Sequence, residues 1–184
     1  MRRAMKLASA LPALFLLGAA PATTVKLTAS GQAVVDGMAP SFGGWDLTGQ
    51  KVLTLDALRE TPRAATLIVT FGASFCGPCR AGLPRLKRFA AAHPGLRLVL
   101  IDVEGEQSRA QQFVRETLGD GALAILDKFE VIARTYGLVE GVKLAIPRTF
   151  LVGANGRVRA IYREEGFDLE QVLEQDLRAH PPAK

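Results

Sequence analysis

Cys76 and Cys79 are the only cysteines of the chain, and they stand two residues apart around Gly77 and Pro78. An apolar β-type run, Thr66 to Phe71, precedes them, and a helix-like stretch from Arg80 to Ala92 follows. A dithiol between a strand and the start of a helix has the makings of a redox centre. The first turn of a helix leaves N–H groups unpaired, and the helix dipole places partial positive charge there. A thiolate at Cys76 is stabilised by both. Cys79, one turn on, is placed to close an intramolecular disulfide, which is the chemistry of thiol–disulfide exchange.

Other readings of the pair compete. As a structural staple it would close so short a loop that it removes only about 2 kcal/mol of unfolded-chain entropy. As half of a zinc site it lacks partners, because the only histidines, His93 and His180, have no finger-type spacing from it. As inert core it sits oddly with Gly77 and Pro78, which shape a loop.

The start of the chain bears on where the chemistry happens. Arg2, Arg3 and Lys6 precede an apolar stretch from Leu7 to Ala20, and Ala20-Pro21-Ala22 is a small-x-small cleavage pattern. We therefore expect residues 1–22 to be a secretory signal peptide, with the chain destined for a bacterial periplasm. An uncleaved membrane anchor is the alternative, although the stretch is shorter than the ~20 residues of a spanning helix. The leader carries three of the 23 basic residues and no acid, which leaves 20 basic against 18 acidic residues. These are dispersed, so nucleic acid is not an expected partner. The remaining length suits one domain.

The expected elements must position the dithiol. Residues 23–38 read as an irregular lead-in, 39–180 as the folded domain and 181–184 as a tail. Trp45–Leu47 and Lys51–Leu53 flank Thr48-Gly49-Gln50 as a short hairpin. Thr54 is expected to cap a short helix through Leu58. Strands are expected at Thr66–Phe71, Leu96–Val103 and Leu123–Leu126. The helix behind the cysteines carries Leu83, Leu86 and Phe89 on one side, with Pro84 expected to kink it. Ser108 is expected to cap a helix that buries Phe113, Val114 and Leu118, and a further helix is expected from Phe129 to Tyr136. Thr149–Val152 and Val158–Tyr162 flank Ala154-Asn155-Gly156, and Asn-Gly between apolar runs signals a hairpin. Asp168 with Gln171 reads as a capping box for a last helix.

With this order in place, the stretch from Ala65 to Phe89 resembles the active-site region of the thioredoxin superfamily. Cys76-Gly77-Pro78-Cys79 matches its dithiol and Pro84 its helix proline. Ile146-Pro147-Arg148-Thr149-Phe150-Leu151 looks like its cis-proline loop. Ala39-Pro40-Ser41-Phe42, Gly49-Gln50-Lys51 and Leu55–Leu58 resemble the exported TlpA/ResA branch. The resemblance implies an α/β thioredoxin fold, a central mixed β-sheet flanked by helices, with an N-terminal β-hairpin extension.

It further implies that Cys76 is an exposed nucleophile and Cys79 the buried resolving thiol, in an active-site loop with Phe75, Gly77 and Pro78. Pro147 would be cis beside them, with Ile146 contacting a substrate strand. Phe75, Trp45 and Ile146 would form an apolar rim, although Trp45 equally suits core packing. The implied partners are proteins with cysteine pairs or disulfides, such as pairs awaiting haem or copper, and a membrane thiol donor of the DsbD/CcdA kind. The implied state is a monomer, with no bound cofactor and no metal.

Three positions depart from the family. Phe75 stands where Trp is usual, and Thr70 and Gly82 stand where buried carboxylates are found. Asp102 and Glu104 are the substitutes nearest in sequence for a proton relay. The direction expected is reduction; oxidation or isomerisation, or a non-catalytic copper-binding module, are the alternatives.

Overall fold

The computed structural model describes residues 32–60, 66–163 and 168–179. The expected signal peptide, most of the lead-in, and the tail with His180 lie outside them. Five strands form the central sheet in the order β5-β4-β3-β8-β9. β3 (Thr66–Gly72), β4 (Leu96–Asp102) and β5 (Leu123–Leu126) run parallel, and β8 (Arg148–Val152) and β9 (Val158–Tyr162) join antiparallel on the other side of β3. β3 is buried along its whole length, as a near-continuous apolar run in mid-sheet should be. This is the mixed sheet expected.

The helices cover both faces. α2 (Gly77–Ala92), α3 (Gln107–Thr117) and α5 (Leu169–Ala179) each bury one apolar stripe. α1 (Leu55–Glu60) and the short α4 (Val131–Thr135) pack on the opposite core, around Phe71, Phe150 and Tyr136. Leu83, Leu100 and Phe113 make the core under α2 and α3. Arg85 of α2 bonds Glu170 of α5, and His93, just past α2, meets Glu174 at 2.8 Å. His93 thereby joins two helices. Among the described residues no group of His, Cys, Asp and Glu is arranged to hold a metal.

Several expected boundaries move. α2 begins at Gly77 rather than Arg80 and runs unbroken through Pro84. α3 begins at Gln107, with Glu106 at its N-cap, so Ser108 is not the cap; its hydroxyl donates to the Glu106 carboxylate instead. α4 is shorter than expected at both ends. Thr54 does cap α1, its hydroxyl accepting from the Ala57 N–H at 3.1 Å. An unexpected hairpin, β6 (Val139–Glu140) and β7 (Lys143–Leu144), leads into the proline loop.

The N-terminal hairpin forms from β1 (Gly43–Trp45) and β2 (Val52–Thr54). It lies beside β5, where Asp46 bridges Ile125 and the Leu47 N–H donates to the Ala124 carbonyl at 3.1 Å. The approach depends on Gly44, since a Cβ there would stand 2.7 Å from Cγ2 of the buried Ile125. That atom belongs to a β-branched side chain with little rotational freedom. Gly44→Ala is expected to destabilise the fold by about 1–3 kcal/mol, the range for overpacking a core. A urea midpoint lowered at constant slope would show it, and an unchanged midpoint would contradict it.

Candidate active site

The dithiol sits where β3 gives way to α2. Cys76 has extended backbone angles and occupies the N-cap, with Gly77, Pro78 and Cys79 as the first three helical residues. Proline suits this first turn, because its missing N–H would have no intrahelical partner there. The Cys76 and Cys79 sulfurs are joined at 2.01 Å, and Cys76 Sγ also accepts from the Cys79 N–H at 3.2 Å. The Cys76 sulfur thus takes the capping place usually held by a hydroxyl or carboxylate, with an otherwise orphaned N–H pointing at it. Negative charge on that atom is favoured there.

Cys76 is 7% exposed and Cys79 1%. The expectation of an exposed nucleophile needs correcting: Cys76 is the more open of the two but is buried in this disulfide state. Both pack in one apolar cluster with Leu83, Leu100 and Phe113, and Ile146 packs against it. The Ile146–Pro147 peptide bond is cis, and Pro147 is buried. Phe75, the residue before the dithiol, is 66% exposed. Trp45 is 62% exposed and lines a separate recess with Leu47, Gln107 and Leu126, so it is not packed in the core.

The loop from Ala73 to Cys76 is held by Ser74 and Arg80, which the sequence did not single out, together with Glu104, which it did. The Ser74 hydroxyl donates to the Glu104 carboxylate, and Arg80 Nε donates to the Ser74 carbonyl at 3.0 Å. Arg80 also bonds Glu116 at 2.9 Å and lies 5.3 Å above the Phe113 ring. Glu104 is thus tied to the loop.

Asp102 is placed differently. The parallel register pairs Gly72 with Asp102 and Thr70 with Leu100. Side chains two apart on a strand share a face, so Asp102 lies on the face of Leu100. That is also the face of the dithiol, because a Cβ on Gly72 would stand 3.2 Å from Cys79 Sγ and 3.7 Å from Leu100. Asp102 and Cys79 therefore flank a residue with no side chain. Asp102 is fully buried. Its Oδ1 accepts from the Glu104 N–H at 2.8 Å, while Oδ2 is shielded from solvent and has no partner among the described residues. Burial pushes its carboxyl up to about 7; the Glu104 N–H pulls the other way and the Glu104 charge adds to the rise. At Thr70 the hydroxyl pairs with that of Thr149 at 2.8 Å, and Gly82 is buried in α2.

Comparisons with known proteins agree with this geometry. The profile of the AhpC/TSA family matches residues 35–161. The chain is 33% identical over 135 residues to the thiol:disulfide interchange protein DsbE homolog of Paracoccus denitrificans, covering 73% of this chain and 68% of that protein. Among solved structures, a thioredoxin-family thiol:disulfide interchange protein from Chlorobium tepidum superposes with a TM-score of 0.61 at 24% identity, covering 78% of this chain and 98% of that one. The thioredoxin domain of a thiol-disulfide oxidoreductase from Bacteroides vulgatus gives 0.64 at 21% identity, covering 78% and 98%. The chain belongs to the AhpC/TSA family of the thioredoxin superfamily, with thiol:disulfide interchange proteins as its relatives, and is a thiol-disulfide oxidoreductase.

Proposed function

We propose that this chain is an exported reductase of disulfides in extracytoplasmic proteins, with Cys76 and Cys79 as its reacting thiols. The observation that carries this is the capping position of Cys76, whose sulfur accepts a helix N–H. In the reduced protein the Cys76 thiolate attacks one sulfur of a substrate disulfide. A bond forms to Cys76, the substrate bond breaks, and one substrate thiolate leaves. Cys79 then gives up its proton and attacks the Cys76 sulfur. The intramolecular disulfide closes and the second substrate thiolate leaves. Two electrons pass to the substrate, and the enzyme ends in the disulfide form.

Asp102 is suited to receive the Cys79 proton, since it lies across Gly72 on the same face with one oxygen unpartnered. Glu104 positions the loop through Ser74. Phe75 and Ile146 offer apolar surface to a protein partner next to the dithiol, and Gly77 and Pro78 shape the turn. Return to the dithiol state calls for an outside electron source, and a membrane thiol donor of the DsbD/CcdA kind fits a reductant in an oxidising compartment. Cysteine pairs awaiting haem or copper are the substrates this reading favours, and a monomer is the form in which it acts. The name of the Paracoccus relative accords with this reading.

Catalysed insulin reduction by dithiothreitol, together with a Cys76–Cys79 potential near the roughly −270 mV of reducing thioredoxins, is the expected result. A potential near the roughly −120 mV of strong oxidants would reverse the direction. Export has its own test. Protein from a periplasmic extract is expected to begin near Thr23, and soluble cytoplasmic protein that retains Met1 would refute a cleaved leader at residues 1–22.

A further inference from the structure

The sheet face turned away from the dithiol carries a cavity of about 310 Å³ that redox chemistry does not use. Along β8, Thr149 meets Thr70 on the dithiol side, so its neighbours Arg148 and Phe150 point to the other side. Val34, Leu138, Phe150 and Ile161 supply apolar wall, and Arg148 and Arg163 supply charge. No Asp or Glu among the described residues lines it.

The register brings the two arginines together. Thr149 pairs with Tyr162 as β8 and β9 run antiparallel, so Arg148 and Arg163 come next, facing one another. Like charges at facing positions of a ladder are destabilising. Neither arginine has an ion-pair partner among the described residues. Arg148 Nε is shielded from solvent and has no hydrogen-bond acceptor there. Burial, and then the charge of Arg163, lower the Arg148 pKa. A buried donor without an acceptor is costly. The first 31 residues contain no Asp or Glu.

We propose that this cavity binds a small organic anion, a carboxylate with a short apolar body, held between Arg148 and Arg163. A guanidinium fork matches a carboxylate in bidentate fashion. The acid would cancel the repulsion between the two guanidinium groups, and the aliphatic body would lie against Leu138, Phe150 and Ile161. The volume is at the small end of ligand sites, about 300–1,000 Å³. The assignment is independent of the dithiol. Occupancy would nonetheless be felt near it, because Arg148 directly follows Pro147.

Hexanoate is the probe. Titrated into the oxidised full-length chain, it is expected to give saturable NMR shifts at the amides of Leu138, Phe150 and Ile161. Hexanol, with the same body and no charge, should give none. Arg163 is exposed, so Arg163→Gln should fold, and it is expected to weaken binding at least about tenfold, as befits a lost hydrogen bond to a charged group. Arg148→Gln should do the same. The proposal is overturned by an absence of saturable shifts, by undiminished affinity in Arg163→Gln, or by equal binding of hexanol. Sulfate binding as tightly as hexanoate would overturn the organic ligand. Binding that emerges only when Glu164 and Glu165 are both replaced by glutamine would show that the chain's own carboxylates hold the arginines.

Discussion

Cys79→Ser is expected to trap the enzyme on its substrates. With the resolving thiol gone, attack by Cys76 still forms the mixed disulfide, but no second sulfur releases it. Affinity-tagged protein from cells should then carry higher-mass adducts that dithiothreitol dissolves. Cys76→Ser should carry almost none. The asymmetry follows from the site: Cys76 holds the N-cap and is the more accessible, while Cys79 is enclosed in the first helical turn. Insulin reduction should fall to the uncatalysed rate in both variants. Equal trapping by both would remove the support for assigning separate roles. The adducts also identify the partners directly, and membrane thiol donors and haem- or copper-receiving proteins are the classes expected among them.

The second large effect concerns Asp102. An ordinary Asp has a pKa near 3.8, and this one is raised to about 7 by burial. The unfolded chain therefore releases the proton at low pH while the folded chain keeps it to neutrality. Between these values the unfolded state binds fewer protons, so stability falls as pH rises. The protonated carboxyl contributes in full below about pH 4, and the contribution is lost as pH passes 7. Three units correspond to roughly 4 kcal/mol. Asp102→Asn keeps an acceptor for the Glu104 N–H but has no proton to lose. It is expected to flatten the stability profile between pH 4 and 7 and to exceed the wild type by a few kcal/mol at pH 8, read from urea midpoints. If Asp102 also takes the Cys79 proton, the same variant should slow mixed-disulfide resolution on the order of 10²-fold at neutral pH, the scale of general base catalysis. Its first step, alkylation of Cys76, should hardly change. A wild-type stability that does not fall over this range would show that Asp102 titrates as an ordinary surface acid.

Much of this was legible in the residues. The dithiol, the proline loop and the Asn155-Gly156 hairpin have local signatures, because glycine, proline and cysteine restrict backbone or chemistry at their own positions. What escaped was set by contact between distant segments. Gly77 and Pro78 look like helix breakers in sequence, yet the first turn accepts both, so α2 starts earlier than its periodicity suggests. Val139–Leu144 is too short and too polar to show a period of two. Trp45 has the composition of a core residue, and only the packing of the hairpin on β5 shows that its ring is left outside. The position of Asp102 against Cys79, and of Arg148 against Arg163, depends on strand register, which no local pattern encodes. Asp102 was reachable as a nearby acid, but not its orphaned oxygen.

The stretch between Asp36 and Leu47 reaches both outer strands of the sheet. Asp36 and Gly37 exchange backbone hydrogen bonds with Val158 on β9, and Met38 bridges Arg157. Further along the same stretch, Asp46 and Leu47 make backbone contacts to β5. An uncovered outer strand is a template on which a second copy can add itself and begin a fibre. Here a single stretch of chain occupies backbone positions on both margins, which guards the sheet against polymerising with a second copy of itself.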